Sequence, residues 1–115
     1  QLESASQPAE QNIASSNPES NEMVKQANTA WNRGQLSEPY QGSALAYYHQ
    51  ALAADASNQA ALTGLNKLAT HYLNLAKKEF SQNDYFSALD YVDLGLKADP
   101  LNPELNQLKA QLVNE

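Results

Sequence analysis

The stretch Ser81–Leu105, SQNDYFSALDYVDLGLKADPLNPEL, decides the fold. Small residues fall at Ala88 and Gly95, aromatics at Tyr85 and Tyr91, and an Asp-Pro pair follows at Asp99 and Pro100. A generic amphipathic helix needs apolar residues at helical intervals, but not small ones at set places before a proline stop. Small side chains let the ridges of one helix settle deep into the grooves of another. The stretch therefore predicts a helix packed closely against its neighbours, with the tyrosines wedged between them. Asn83 or Asp84 caps this helix, which ends near Ala98, and Asn102-Pro103-Glu104 opens the next.

Working outward, GSALAYYHQALAADASN (42–58) aligns without a gap with FSALDYVDLGLKADPLN (86–102). Ser43, Ala44 and Leu45 match Ser87, Ala88 and Leu89; Tyr47 matches Tyr91, Leu52 matches Leu96, and Asp55 matches Asp99. Internal similarity of this kind points to a repeat architecture. The remaining punctuation gives five helices. Asn17-Pro18-Glu19 starts the first, which runs to about Arg33 before Gly34. The second covers about 43–55. The third, with Ser57 as its cap, runs from Asn58 to about Ser81 and holds Leu62, Leu65, Leu68, Tyr72, Leu75 or Ala76, and Phe80 on one stripe. It is longer than the repeat requires by about three turns, roughly 15 Å.

Composition agrees with an all-α reading. Of 115 residues, 42% are hydrophobic, mostly Ala and Leu with few Val and Ile. The length allows one domain with a tail. Residues 1–17 are rich in Ser, Gln, Ala and Glu and read as a disordered polar linker, leaving a helical domain at 18–115. The net charge of −6 is concentrated early, because Glu3, Glu10, Glu19 and Glu22 precede any Lys or Arg. The rest is near neutral, which excludes a basic nucleic-acid footprint. No apolar run approaches the ~20 residues of a membrane span, so no direct membrane insertion is expected of this segment. The chain begins at Gln1 and reads as a processed form or an excised piece, with room for an anchor upstream.

The intervals from Tyr72 through Leu75-Ala76 and Ala88 to Pro100, with Asn83-Asp84-Tyr85 between the helices, resemble the tetratricopeptide repeat, a helix–turn–helix unit of about 34 residues. Val92 takes the later aromatic place, and Glu79 departs from the family's aromatic. A looser copy uses Ala27, Ala30-Trp31 and Gly34-Gln35-Leu36, with five residues inserted at Ser37–Gln41. The resemblance implies antiparallel helical hairpins stacked as a short superhelix, two degenerate repeats and a terminal helix over about 20–115. It places close approaches at Ala44, Ala51, Ala76, Ala88 and Gly95. The long third helix and the Gly34–Ala44 connection are also similar to repeat proteins of the bacterial envelope, which implies the periplasmic side of that envelope.

In this family the ligand usually lies in the concave groove lined by the first helix of each pair. By position, the resemblance implies partner-binding residues Val24, Asn28, Trp31 and Asn32 in the first copy. It implies Thr70, Leu73, Asn74, Lys77 and Ser81 in the second, with Gln107 and Gln111 on the terminal helix. The Lys and Arg that would accompany Asn28 and Asn74 in a carboxylate clamp are missing.

Residues for chemistry are sparse. His49 and His71, the only histidines, have no acid or second His at metal-ligand spacing. Cysteine is absent, and no glycine-rich phosphate loop occurs. Asp84 reads as a cap, and Asp90 and Asp93 as a solvated face. No cofactor, metal or catalytic residue is expected. The expectation is a non-enzymatic scaffold or adaptor that binds a protein or peptide. The alternatives are homotypic packing into a homodimer, or an accessory domain of a larger membrane-anchored protein.

Overall fold

A computed structural model describes residues 15–114. Among them the chain is all-α and contains α1 (Pro18–Asn32), α2 (Ala44–Ala54), α3 (Gln59–Ser81), α4 (Tyr85–Ala98) and α5 (Pro103–Val113). No helix among these residues is long and apolar enough to cross a membrane. The chain divides into two compact units between Gly64 and Leu65, inside α3.

In the first unit, Asn17 caps α1 by accepting from the Ser20 amide at 3.0 Å, with Pro18 at the first helical position. The helix ends in a left-handed turn at Gly34, φ +79°. There the Gly34 amide donates to the Trp31 carbonyl at 2.9 Å and the Gln35 amide to Ala30 at 2.8 Å. These two bonds make a Schellman stop, which satisfies carbonyls that the helix leaves open. The following loop, which includes Ser37–Gln41, joins α1 to α2. It is pinned at its base, where the Ala44 and Leu45 amides donate to the carbonyls of Gln35 and Leu36.

Two side-chain bonds tie α2 to α1. The Tyr48 hydroxyl donates to Asn28 Oδ1 at 2.6 Å, and the Ser20 hydroxyl to the Ala51 carbonyl at 2.7 Å. The turn after α2 then departs from expectation. Asn58, not Ser57, caps α3, accepting from the Ala61 amide at 3.2 Å. Ser57 stands one residue too early to reach that amide and gives its own N–H and O–H to Asp55 Oδ1 instead. Asn58 is fully buried, and its Nδ2 donates to Ser20 Oγ at 2.7 Å.

Just before α1, the Ser15 hydroxyl donates to the Asp55 carboxylate, and Asn17 Nδ2 donates to the Ala54 carbonyl at 3.2 Å. Residues 1–14 of the expected linker lie outside the described residues.

In the second unit, α3 stops as α1 does. Asn83 takes the left-handed conformation, φ +64°, and donates to Phe80 at 3.0 Å, while Asp84 donates to Glu79 at 2.9 Å. Asp84 caps α4 through the Ser87 amide at 3.1 Å. Gly95 is a true close approach, since a Cβ there would lie 2.8 Å from Leu105 Cδ1 and 3.3 Å from Tyr72 Cβ. Tyr72 also stacks on Tyr91 with ring centroids 6.1 Å apart. Asn102 caps α5, accepting from the Leu105 amide at 2.9 Å.

All five small residues expected at close approaches are buried. The aromatic assignment is corrected. Tyr48 and Tyr72 are the buried tyrosines, while Tyr47 and Tyr91 are half-buried and Tyr85 is exposed, lying against Phe80 at 5.4 Å. Leu62 is also exposed, because Ala61 is the inward residue of that first turn of α3. Asp93 is not merely solvated, since it pairs with Lys109 across α4 and α5 at 3.1 Å.

Candidate functional site

The second unit contains a cleft between α3 and α5 with a volume of about 240 Å³. Helical periodicity builds both walls. Leu73, Lys77 and Phe80 come from one face of α3 at positions i, i+4 and i+7. Glu104, Gln107, Leu108 and Gln111 come from one face of α5 at i, i+3, i+4 and i+7. Leu73 and Leu108 are buried and form an apolar floor that the half-buried Phe80 extends. Lys77, Glu104, Gln107 and Gln111 are exposed and form the rim.

Lys77 Nζ lies 3.3 Å from Glu104 Oε2 and joins the two walls. Both partners are more than half exposed, so this pair orients the walls rather than stabilising them by more than about 1 kcal/mol. Among the described residues that line the cleft, these two are the charged ones. The side-chain amides of Gln107 and Gln111 make no hydrogen bond to another described residue. Each carries one acceptor and two donor positions.

Of the eleven residues expected to bind a partner, Leu73, Lys77, Gln107 and Gln111 come together here. Thr70, Asn74 and Ser81 are exposed on α3 but do not line the cleft, and the Ser81 hydroxyl is turned back onto the Lys78 carbonyl. Val24, Asn28, Trp31 and Asn32 belong to α1 in the first unit. Asn28 is held by Tyr48, Val24 and Trp31 are half-buried, and Asn32 is exposed. Phe80, Glu104 and Leu108 were not among the expected residues. The spacing 73/77/80 and 104/107/108/111 marks two helix faces and could have found them.

No family model, curated protein or solved structure matches the chain.

Burial pushes the Tyr48 hydroxyl above its ordinary pKa. The Asp55 carboxyl is held below its ordinary value by hydrogen bonds from the Ser15 and Ser57 hydroxyls and the Ser57 amide. His49 Nδ1 lies 3.0 Å from the Tyr40 hydroxyl, and His71 meets the Tyr72 ring edge to face at 5.2 Å. No group of three or more His, Asp or Glu side chains among the described residues could hold a metal ion.

Proposed function

We propose that this chain is a tetratricopeptide-like protein-binding module, and that it captures a partner protein in the α3–α5 cleft without chemistry. The observation that carries the reading is the cleft itself, with a buried leucine floor inside a polar rim. A preformed surface on two helices lowers the ordering cost of association.

Matching local geometry supports the repeat. Both hairpins turn through a left-handed residue, Gly34 or Asn83, with the same pair of backbone bonds. Both second helices end at an Asp whose amide bonds four residues back at 2.9 Å, to Ala51 in one and Gly95 in the other. In both, the Asn three residues on then caps the next helix. The aligned positions differ in size. Tyr48 beside Gly64 corresponds, 44 residues on, to Val92 and Leu108.

The test is affinity capture from lysate of the source cells with the full chain as bait, beside Lys77→Glu/Gln111→Ala. A partner retained by the parent, lost by the variant, and then bound as a purified protein is the expected result. Capture that ignores the variant would move the site elsewhere.

A second reading, homotypic packing, is favoured by one observation: Phe86, at the start of α4, is 88% exposed. Sedimentation velocity separates the two. Concentration-dependent dimers abolished by Phe86→Ser would support self-association.

A further inference from the structure

We infer that the outer line of α4 is a self-complementary docking face, on which a second copy of this chain lies antiparallel across a two-fold axis. The inference rests on the homotypic reading and gives it a geometry; capture in the α3–α5 cleft does not depend on it.

Exposure argues first. Phe86, Asp90, Asp93 and Lys97 fall at i, i+4, i+7 and i+11, one line along α4 opposite the buried Ala88, Val92, Gly95 and Ala98. Phe86 is 88% exposed at the start of that helix, and Leu101, in the turn that follows its end, is 87% exposed. Among the described residues these are the two most exposed large apolar side chains. One helix therefore carries an apolar contact at each end and charges between them.

Symmetry argues second. An antiparallel copy centred between Asp93 and Leu94 brings Phe86 to the end where the second copy's Leu101 stands. It also sets Asp90 level with the second copy's Lys97. The members of each pair are equally far in sequence from that centre, so every contact forms twice, as a closed two-fold interface requires. A parallel copy would instead set Asp90 against Asp90 and Lys97 against Lys97.

Charge argues third. Asp90 and Lys97 are exposed, and neither joins an ion pair among the described residues. They stand seven residues apart, roughly 10 Å along the helix. In the two-fold pair each meets the opposite charge. Asp93 comes near the axis, but Lys109 of its own chain already pairs with it at 3.1 Å, so two bare carboxylates do not meet there. The 14 residues of α4 make roughly 20 Å of helix, so the contact is short and the dimer weak.

The experiment is sedimentation velocity of the full chain over a concentration series to about 1 mM. The parent should dimerise as concentration rises. Asp90→Lys and Lys97→Asp should each weaken the dimer about tenfold, because attraction becomes repulsion at both symmetric contacts. An equimolar mixture of the two variants should dimerise as the parent does, since each contact again joins opposite charges. Leu101→Ser should weaken the dimer as Phe86→Ser does, and all four variants should keep the parent's circular-dichroism spectrum. A parent dimer that ignores both charge changes, or variants that the mixture fails to rescue, would overturn the antiparallel face and leave homotypic packing standing. A parent that stays monomeric throughout would overturn both.

Discussion

The ring of Tyr48 lies on the backbone of Gly64: a Cβ at residue 64 would stand 2.2 Å from Tyr48 Cζ and 2.4 Å from Cε1. Glycine in a helix interior costs about 1 kcal/mol against alanine, so the sequence accepts that loss to seat a tyrosine. The Tyr48 hydroxyl then reaches Asn28 on α1, so one side chain bridges two packing contacts.

Gly64→Ala should therefore destabilise the chain by about 1–3 kcal/mol despite its better helix propensity. The ring cannot retreat while its hydroxyl is held. Urea denaturation checks this, and Tyr48→Val should recover most of the loss in the double variant, giving a clear non-additive coupling. Gly95→Ala is the contrast. A Cβ there meets the buried Leu105 methyls at 2.8 and 3.2 Å and Tyr72 Cβ at 3.3 Å rather than a ring at 2.2 Å, so its loss should be smaller than that of Gly64→Ala. Equal losses at both glycines would contradict this account.

Asn58 and Asn102 cap successive helices, but they should not be equal in cost. Asn102 is half-buried and supplies the α5 cap alone. Asn58 is fully buried, caps α3 and donates to Ser20, whose hydroxyl in turn reaches α2. Asn102→Ala should lose about 1 kcal/mol. Asn58→Ala should lose about 2–3 kcal/mol, because a buried network is broken as well as a cap. Thermal melts of the two single variants decide it.

Gly34 and Asn83 occupy the same left-handed turn position, and only one of them is glycine. Asn tolerates this region better than other residues with a Cβ. Gly34→Ala should cost about 1–2 kcal/mol, while Gly34→Asn should cost less. A larger loss for Asn than for Ala in equilibrium unfolding would refute the equivalence of the two turns.

Much of this architecture was legible in the residues. Asn17-Pro18, Asn102-Pro103 and the small residues at Ala44, Ala51, Ala88 and Gly95 act through local backbone geometry or close packing, which the sequence states directly. Ser57 misled because cap preference is shared by neighbouring Ser and Asn, and only tertiary burial against Ser20 selects Asn58. Tyr47 and Tyr48 were likewise indistinguishable until Gly64 supplied a flat seat for one ring. The cleft was half legible. Lys77 and Gln111 follow from position on their own helices, but Glu104 enters through a pairing across 27 residues that no local pattern encodes.

Asp55 gives the last prediction, on acid stability. Its carboxylate accepts from the Ser15 and Ser57 hydroxyls and from the Ser57 amide, and these bonds hold its folded-state pKa below the ordinary value. A depressed carboxyl pKa contributes stability that is present above the unfolded-state value, about 3.9, and lost as pH falls through the lower folded value. Between pH 4 and pH 2, the parent should therefore lose stability more steeply than Asp55→Asn, whose side chain is already neutral. Above pH 5 the parent should be the more stable of the two. Urea midpoints at pH 6, 4, 3 and 2.5 measure both ends of this comparison. Parallel curves would mean that the bonds from Ser15 and Ser57 to the Asp55 carboxylate contribute nothing to folding in solution.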